Sequence, residues 1–198
     1  MILDFYNVPV WKSDAELILL PKIQEELDTA YSNSTFSMKS GWGPTHYISD
    51  RDFCGSIIDP TMKFFPREID RHLDMYLEAI QFKETNFYSL DLEHTIKSCW
   101  FSKFEKGNYA HVHDHGSSDI SGVYYYKVPD KGSELFFRNP ITQMSSSFIY
   151  EHLSTSVDVT PEVGTILLFP SWLQHGVKTN ESDDTRVSVS FNIQFERT

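Results

Sequence analysis

Cysteine is scarce in this chain: Cys54 and Cys99 stand alone. Two cysteines are too few for a disulfide framework, a zinc ribbon or a zinc finger, and their scarcity points to a reducing, cytoplasmic setting. Basic residues are also short, with 17 Lys+Arg against 28 Asp+Glu and a net charge of −11 with His neutral. A protein that tracks a phosphate backbone needs a basic face, so general nucleic-acid binding is excluded, although a local basic pocket is not. No apolar run reaches the roughly 18–20 residues of a membrane span. The start, Met1-Ile-Leu-Asp-Phe5, lacks the basic and long apolar parts of a secretory signal. No repeat, low-complexity tract or Pro/Gly/Ser linker divides the chain. One domain over 1–198 is therefore expected, with residues 1–94 as helical and loop support and residues 95–198 as the core. The chain is well supplied with core-forming residues: 40% are hydrophobic and 15% aromatic, which argues against disorder.

The first third reads as partly helical. Ser13 and Glu16 have capping-box spacing ahead of Leu17, Leu19, Leu20, Ile23 and Leu27, and Asp59-Pro60 reads as the start of a second helix carrying Ile69, Leu73, Leu77 and Ile80. The stretch Tyr31–Asp52 between them, with Trp42, His46 and Tyr47, reads as a long loop suited to be a lid. After Asn86 short β-type runs take over: Thr95–Phe104, Ile120–Val128, Glu134–Phe137, Ser156–Val159, Thr165–Phe169 and Arg186–Phe195, with turn residues between them. Many short strands favour a sandwich or barrel with the helices packed outside. Tyr124, Tyr125, Tyr126, Phe136, Phe137 and Trp172 are expected mainly in its core.

Three of the eight histidines fall in Tyr109-Ala-His111-Val-His113-Asp-His115-Gly. Residues two apart on a strand share a face, so His113 and His115 can reach one cation at about 2.0–2.2 Å if the strand ends there. The order His-x-His-x-Asp-His of a binuclear hydrolase is absent, since Asp114 lies between His113 and His115, and no His-Glu-x-x-His helix is present. A third ligand then comes from a distant strand. His175 is placed for it, behind the apolar run Ile166–Phe169 and Pro170. Eleven residues on, Arg186 opens an alternating strand with Ser188 on its own face. A guanidinium and a hydroxyl make a clamp for the far end of a dicarboxylate whose near end chelates the metal.

His113-x-His115, Ile120-Ser-Gly-Val-Tyr-Tyr125, Gly164-x-x-Leu-Leu-Phe-Pro170, His175 and Arg186-x-Ser-x-Ser-Phe-Asn192 together resemble the 2-oxoglutarate/Fe(II)-dependent oxygenases, over about residues 95–195. The resemblance implies a double-stranded β-helix (a cupin-like jelly roll, mainly β with flanking α), Fe(II), and 2-oxoglutarate as co-substrate. It makes His113 and His175 metal ligands and gives the C5 carboxylate of 2-oxoglutarate to Arg186 and Ser188. It implies hydroxylation of an unidentified primary substrate, and leaves a homodimer open. The pattern departs from the usual 2-His-1-carboxylate triad, because His115 stands where the carboxylate is expected. His115 is then the third ligand, with Asp119 the carboxylate to consider in its place, His111 a spare and Asp114 on the opposite face. Two alternatives stay open: a cupin-type metal-dependent dioxygenase or isomerase that does not use 2-oxoglutarate, and a non-catalytic metal-binding jelly-roll module.

Overall fold

The alternation in the strands separates two apolar faces, and these two faces organise the molecule. The structure, a computed structural model, describes residues 8–38, 45–50, 55–80, 92–141, 148 and 156–197. Along the chain it runs β1 (Trp11–Asp14), α1 (Leu20–Asn33), β2 (Phe36–Met38), β3 (Tyr47–Ser49), α2 (Phe64–Ala79), β4 (Leu92–Phe104), β5 (Ala110–His113), β6 (Ile120–Lys127), β7 (Leu135–Phe137), β8 (Val157–Val159), β9 (Thr165–Pro170), β10 (His175–Val177) and β11 (Arg186–Arg197). Seven strands form one sheet in the order β1-β9-β6-β11-β4-β3-β2, and β5-β10-β7-β8 form a second. Within both sheets the strands pair antiparallel. Two antiparallel sheets facing each other, with helices on the outer side of the larger, make the jelly roll expected from the sequence.

On β6, Tyr124 and Tyr126 face the helices, while Val123 and Tyr125 face the second sheet. On β9, Ile166 and Leu168 divide from Leu167 and Phe169 in the same way. On β11, Val187, Val189, Phe191 and Ile193 join the helix-side core, which leaves Arg186, Ser188, Ser190 and Asn192 lining the space between the sheets. The helices supply Ile23 and Leu27 from α1 and Phe65, Ile69, Leu73 and Tyr76 from α2. Each fully buried aliphatic or aromatic side chain of this kind contributes about 1.5–3 kcal/mol. The larger apolar core thus sits on the helix side of the large sheet, and the other side is free to carry polar chemistry. Gly122 is needed where β6 crosses β11: a Cβ there would lie 2.2 Å from the Phe191 ring.

The six strands read after residue 94 are all present, β4 and β11 being longer than expected at their outer ends. The N-terminal part differs in detail. Ser13 lies in β1, not at a helix cap, and α1 begins at Leu20 with proline in its first turn. The edge of β9 was available for pairing, and β1 takes it in register Trp11↔Leu168 to Asp14↔Thr165. Asp59 closes a turn by accepting from the Thr61 N–H (2.6 Å), and α2 starts later, at Phe64. Its first N–H groups are satisfied from another helix: the Glu26 carboxylate of α1 accepts from Lys63, Phe64 and Phe65 at 2.6–3.1 Å. A carboxylate at a helix N-terminus is worth about 1 kcal/mol, and here it also fixes how the two helices meet. The stretch Tyr31–Asp52 is not one loop: it holds the end of α1 and the hairpin β2–β3, which extends the large sheet beyond β4. Trp42 and Cys54 lie outside the described residues.

Between the helices and β1, Glu68 and His72 are buried. The Glu68 carboxylate accepts from the Glu16 N–H (2.8 Å) and from Arg71 (2.6 Å), and the Trp11 indole N–H donates to His72 Nδ1 (3.0 Å). Arg71 and the Glu16 amide hold the Glu68 carboxyl below its ordinary range against the effect of burial, while burial holds His72 below its own. This polar tie anchors α2 to the first strand, and so the helix layer to the sheet that carries the site.

Candidate active site

β5 and β10 are neighbours in the small sheet, and their register sets His113 directly opposite His175. The two ring centroids are 4.4 Å apart. His115 lies two residues beyond the end of β5. Its backbone N–H donates to the Ser171 carbonyl (2.8 Å), which folds the chain end against the turn after β9. Its ring centroid is then 5.1 Å from that of His113 and 5.2 Å from that of His175. One ring nitrogen from each of the three lies within 4.8 Å of the others, the only such group of three His, Cys, Asp or Glu among the described residues.

The hydrogen bonds say which nitrogen each ring offers. His113 Nδ1–H donates to the His111 carbonyl (2.7 Å), and His175 Nδ1–H donates to the Leu173 carbonyl (2.9 Å). A carbonyl only accepts, so Nδ1 carries the proton in both rings and Nε2 keeps its lone pair for a metal. His115 Nδ1 is 2.7 Å from Asn192 Oδ1, which leaves its Nε2 turned the same way. His175 is buried, and its pKa is pushed down to about 3, first by burial and then by His113 and, more weakly, His115. The ring is therefore neutral at neutral pH, the form in which an imidazole ligates.

The triad opens into a cavity of about 280 Å³ between the sheets, lined from β11 by Arg186, Ser188, Ser190 and Asn192. Arg186 is 1% exposed. Its guanidinium lies over Phe104 and Tyr125, 4.7 and 5.3 Å from the ring centroids. Among the described residues its Nε and Nη1 have no hydrogen-bond partner. Among the described residues no carboxylate pairs with it. Burial pulls the arginine pKa down and pushes the Tyr125 phenol up. A buried charge without a counter-ion costs several kcal/mol. An anion with a flat two-oxygen end meets this demand, and a carboxylate is such an anion.

The other named residues fall elsewhere. Asp119 is turned to the surface strand, where its Oδ2 accepts from Gln194 Nε2 (2.7 Å) and the Phe195 N–H (2.8 Å). Asp114 is exposed and accepts from the Gly116 N–H. The His111 ring is also exposed, and the residue serves the site through its backbone carbonyl. Trp172 is 54% exposed and not core, whereas Tyr124, Tyr125, Tyr126 and Phe137 are buried as expected. His46, assigned to a lid, stacks flat on Phe104 at 4.6 Å and lines the cavity with Thr45 and Ile48. Sequence reasoning gave no role to Tyr125 beside Arg186, nor to Asn192 and Ser121 around His115, although the two-residue alternation of β11 already places Asn192 on the face of Arg186.

Residues 98–192 match the family described as "Putative 2OG-Fe(II) oxygenase". The match covers 95 of the 198 residues and takes in His113, His115, His175 and Arg186. No curated protein matches the chain. Solved structures share its fold. An oxidoreductase of the 2OG-Fe(II) oxygenase family from Burkholderia pseudomallei is 13% identical, with 93% of this chain and 84% of that one covered at a TM-score of 0.60. A prolyl-4-hydroxylase from Pseudomonas putida is 16% identical over 94% and 92% at 0.59. HygX from Streptomyces hygroscopicus, solved with nickel and 2-oxoglutarate, is 13% identical over 94% and 83% at 0.56. At such identities the likeness establishes the double-stranded β-helix alone. No helix among the described residues is long and apolar enough to cross a membrane.

Proposed function

We propose that His113, His115 and His175 hold the Fe(II), that Arg186 with Ser188 holds the distal carboxylate of 2-oxoglutarate, and that the oxygenase hydroxylates a substrate presented at the mouth of this cavity. The observation that carries the reading is the buried Arg186 guanidinium, without a carboxylate partner among the described residues, in the same cavity as three converging imidazoles. A cupin without 2-oxoglutarate, or a structural metal site, has no use for that arginine. Iron with 2-oxoglutarate supplies the oxidising chemistry, in which dioxygen and 2-oxoglutarate give succinate, carbon dioxide and a hydroxylated substrate.

The residues supply placement and charge. Three neutral imidazoles leave both positive charges of a divalent ion uncancelled, where a carboxylate ligand would cancel one. Arg186 adds a third positive charge from the cavity wall. A dicarboxylate dianion is the complement of this pair of centres, one end at each. Phe104 and Tyr125 keep water from the arginine end and so strengthen the pairing there. The volume is at the lower end for a ligand pocket, which suits the co-substrate together with a side-chain-sized piece of a larger molecule. We also place the oxygenase in the cytoplasm, as one domain in which residues 1–94 support the jelly roll.

Pyruvate tests the distal clamp, since it has the keto-acid head of 2-oxoglutarate without the second carboxylate. Calorimetry on Mn(II)-loaded protein should show 2-oxoglutarate binding at least about tenfold tighter than pyruvate, because a charged hydrogen bond is worth about 1.5–3 kcal/mol and 1.4 kcal/mol is one decade. Equal affinities would remove the clamp and put the cupin reading ahead.

A further inference from the structure

Two of the three imidazoles are fixed by backbone carbonyls two residues before them, and the third is not. His115 Nδ1 faces a side chain, Oδ1 of Asn192, with Ser121 Oγ the next polar atom at 3.2 Å. We infer that Asn192 is a positioning residue for the metal centre: its amide oxygen holds the proton of His115 on Nδ1 and so turns Nε2 toward the ion. The inference rests on the proposed role of His115 as a ligand.

An amide has an accepting end and a donating end, so its orientation decides the histidine tautomer. The neighbours set that orientation. Asn192 stands opposite Ser98 on β4 and Ser121 on β6, held from both adjoining strands. Its Nδ2–H donates to Ser98 Oγ (3.0 Å), and Ser121 Oγ–H donates to its Oδ1 (2.9 Å). Ser121 is itself 2.8 Å from Ser171 Oγ, in the turn whose backbone holds the His115 N–H. The β4–β11 ladder shifts register between Asn192 and Ile193, a break of the kind that re-aims a side chain beside a site. With the amide reversed, Nδ2–H would donate to the ring, the proton would move to Nε2, and His115 could not ligate. Asn192 does for His115 what two fixed carbonyls do for the other rings. It does so with a group on β11, the strand that also carries Arg186 and Ser188.

The test compares anaerobic Fe(II) affinity, by chelator competition, in wild type, Asn192→Leu, Asn192→Asp and His115→Ala, with melting of each metal-free protein as the folding control. Asn192→Leu keeps much of the volume and loses the acceptor. It should weaken Fe(II) by about ten- to a hundredfold, the usual effect of removing a partner of a metal-ligating histidine. Asn192→Asp keeps the acceptor and cannot donate, so it should bind Fe(II) at least as tightly as wild type. Nitrogen-15 shifts of metal-free wild type should show His115 protonated at Nδ1. A folded Asn192→Leu protein with wild-type affinity, a weak Asn192→Asp protein, or a proton found on Nε2 would overturn the assignment to Asn192. If His115→Ala binds Fe(II) like wild type, the ligand set itself fails, a separate result.

Discussion

Arg186→Met should weaken 2-oxoglutarate binding to the metal-loaded protein by at least about tenfold while leaving the metal-free protein no less stable. The two halves have one cause. The guanidinium is buried, and among the described residues its Nε and Nη1 have no hydrogen-bond partner and no acid pairs with it. The free protein carries the cost of that charge, and methionine of similar length removes the charge while filling the space beside Phe104 and Tyr125. With the co-substrate bound the balance reverses, because a fork-to-carboxylate pair offers charged hydrogen bonds worth about 1.5–3 kcal/mol each. Arg186→Lys should rescue only partly, since it keeps the charge and loses the fork. Titration calorimetry with 2-oxoglutarate and thermal melting of the metal-free proteins check both halves. Unchanged affinity in Arg186→Met would take the arginine out of the site. A large fall in melting temperature would show that Arg186 is partnered in the free protein.

His113→Ala and His175→Ala should each abolish stoichiometric Fe(II) binding. These two rings face each other across a single β5–β10 pairing, each with Nδ1 tied to a carbonyl. Neither can be replaced by a nearby group: the Asp119 carboxylate is committed to Gln194 and the Phe195 N–H, and Asp114 accepts from Gly116. Equilibrium dialysis against Fe(II) under anaerobic conditions measures the effect. Full binding in either variant would exclude that residue as a ligand.

What the sequence showed and what it hid can be traced to particular residues. The period-two pattern of Arg186–Phe195 announced both a strand and its polar face, because a half-buried strand must alternate. His113 and His175 were legible for a similar reason: spacing put one at the end of a strand and the other beyond an apolar run, and the fold closed the distance through one ladder. The capping signals failed where longer-range partners were stronger. Ser13 was drawn into β1 by the open edge of β9, and the start of α2 is satisfied by Glu26, 37 residues before its first bonded N–H. No local pattern reports such a partner. Asn192 escaped notice as a functional residue because its role exists only between Ser98, Ser121 and His115, which the folded sheet alone brings together.

The central claim is that one cavity holds both the iron and the co-substrate, and visible absorption under anaerobic conditions tests it most directly. Fe(II) added to the metal-free protein should leave the visible region empty. Addition of 2-oxoglutarate should then raise a metal-to-ligand charge-transfer band that saturates at one equivalent per chain. Its appearance requires the keto acid to chelate an iron held by this protein. A protein that binds Fe(II) stoichiometrically and shows no such band with saturating 2-oxoglutarate would contradict the account.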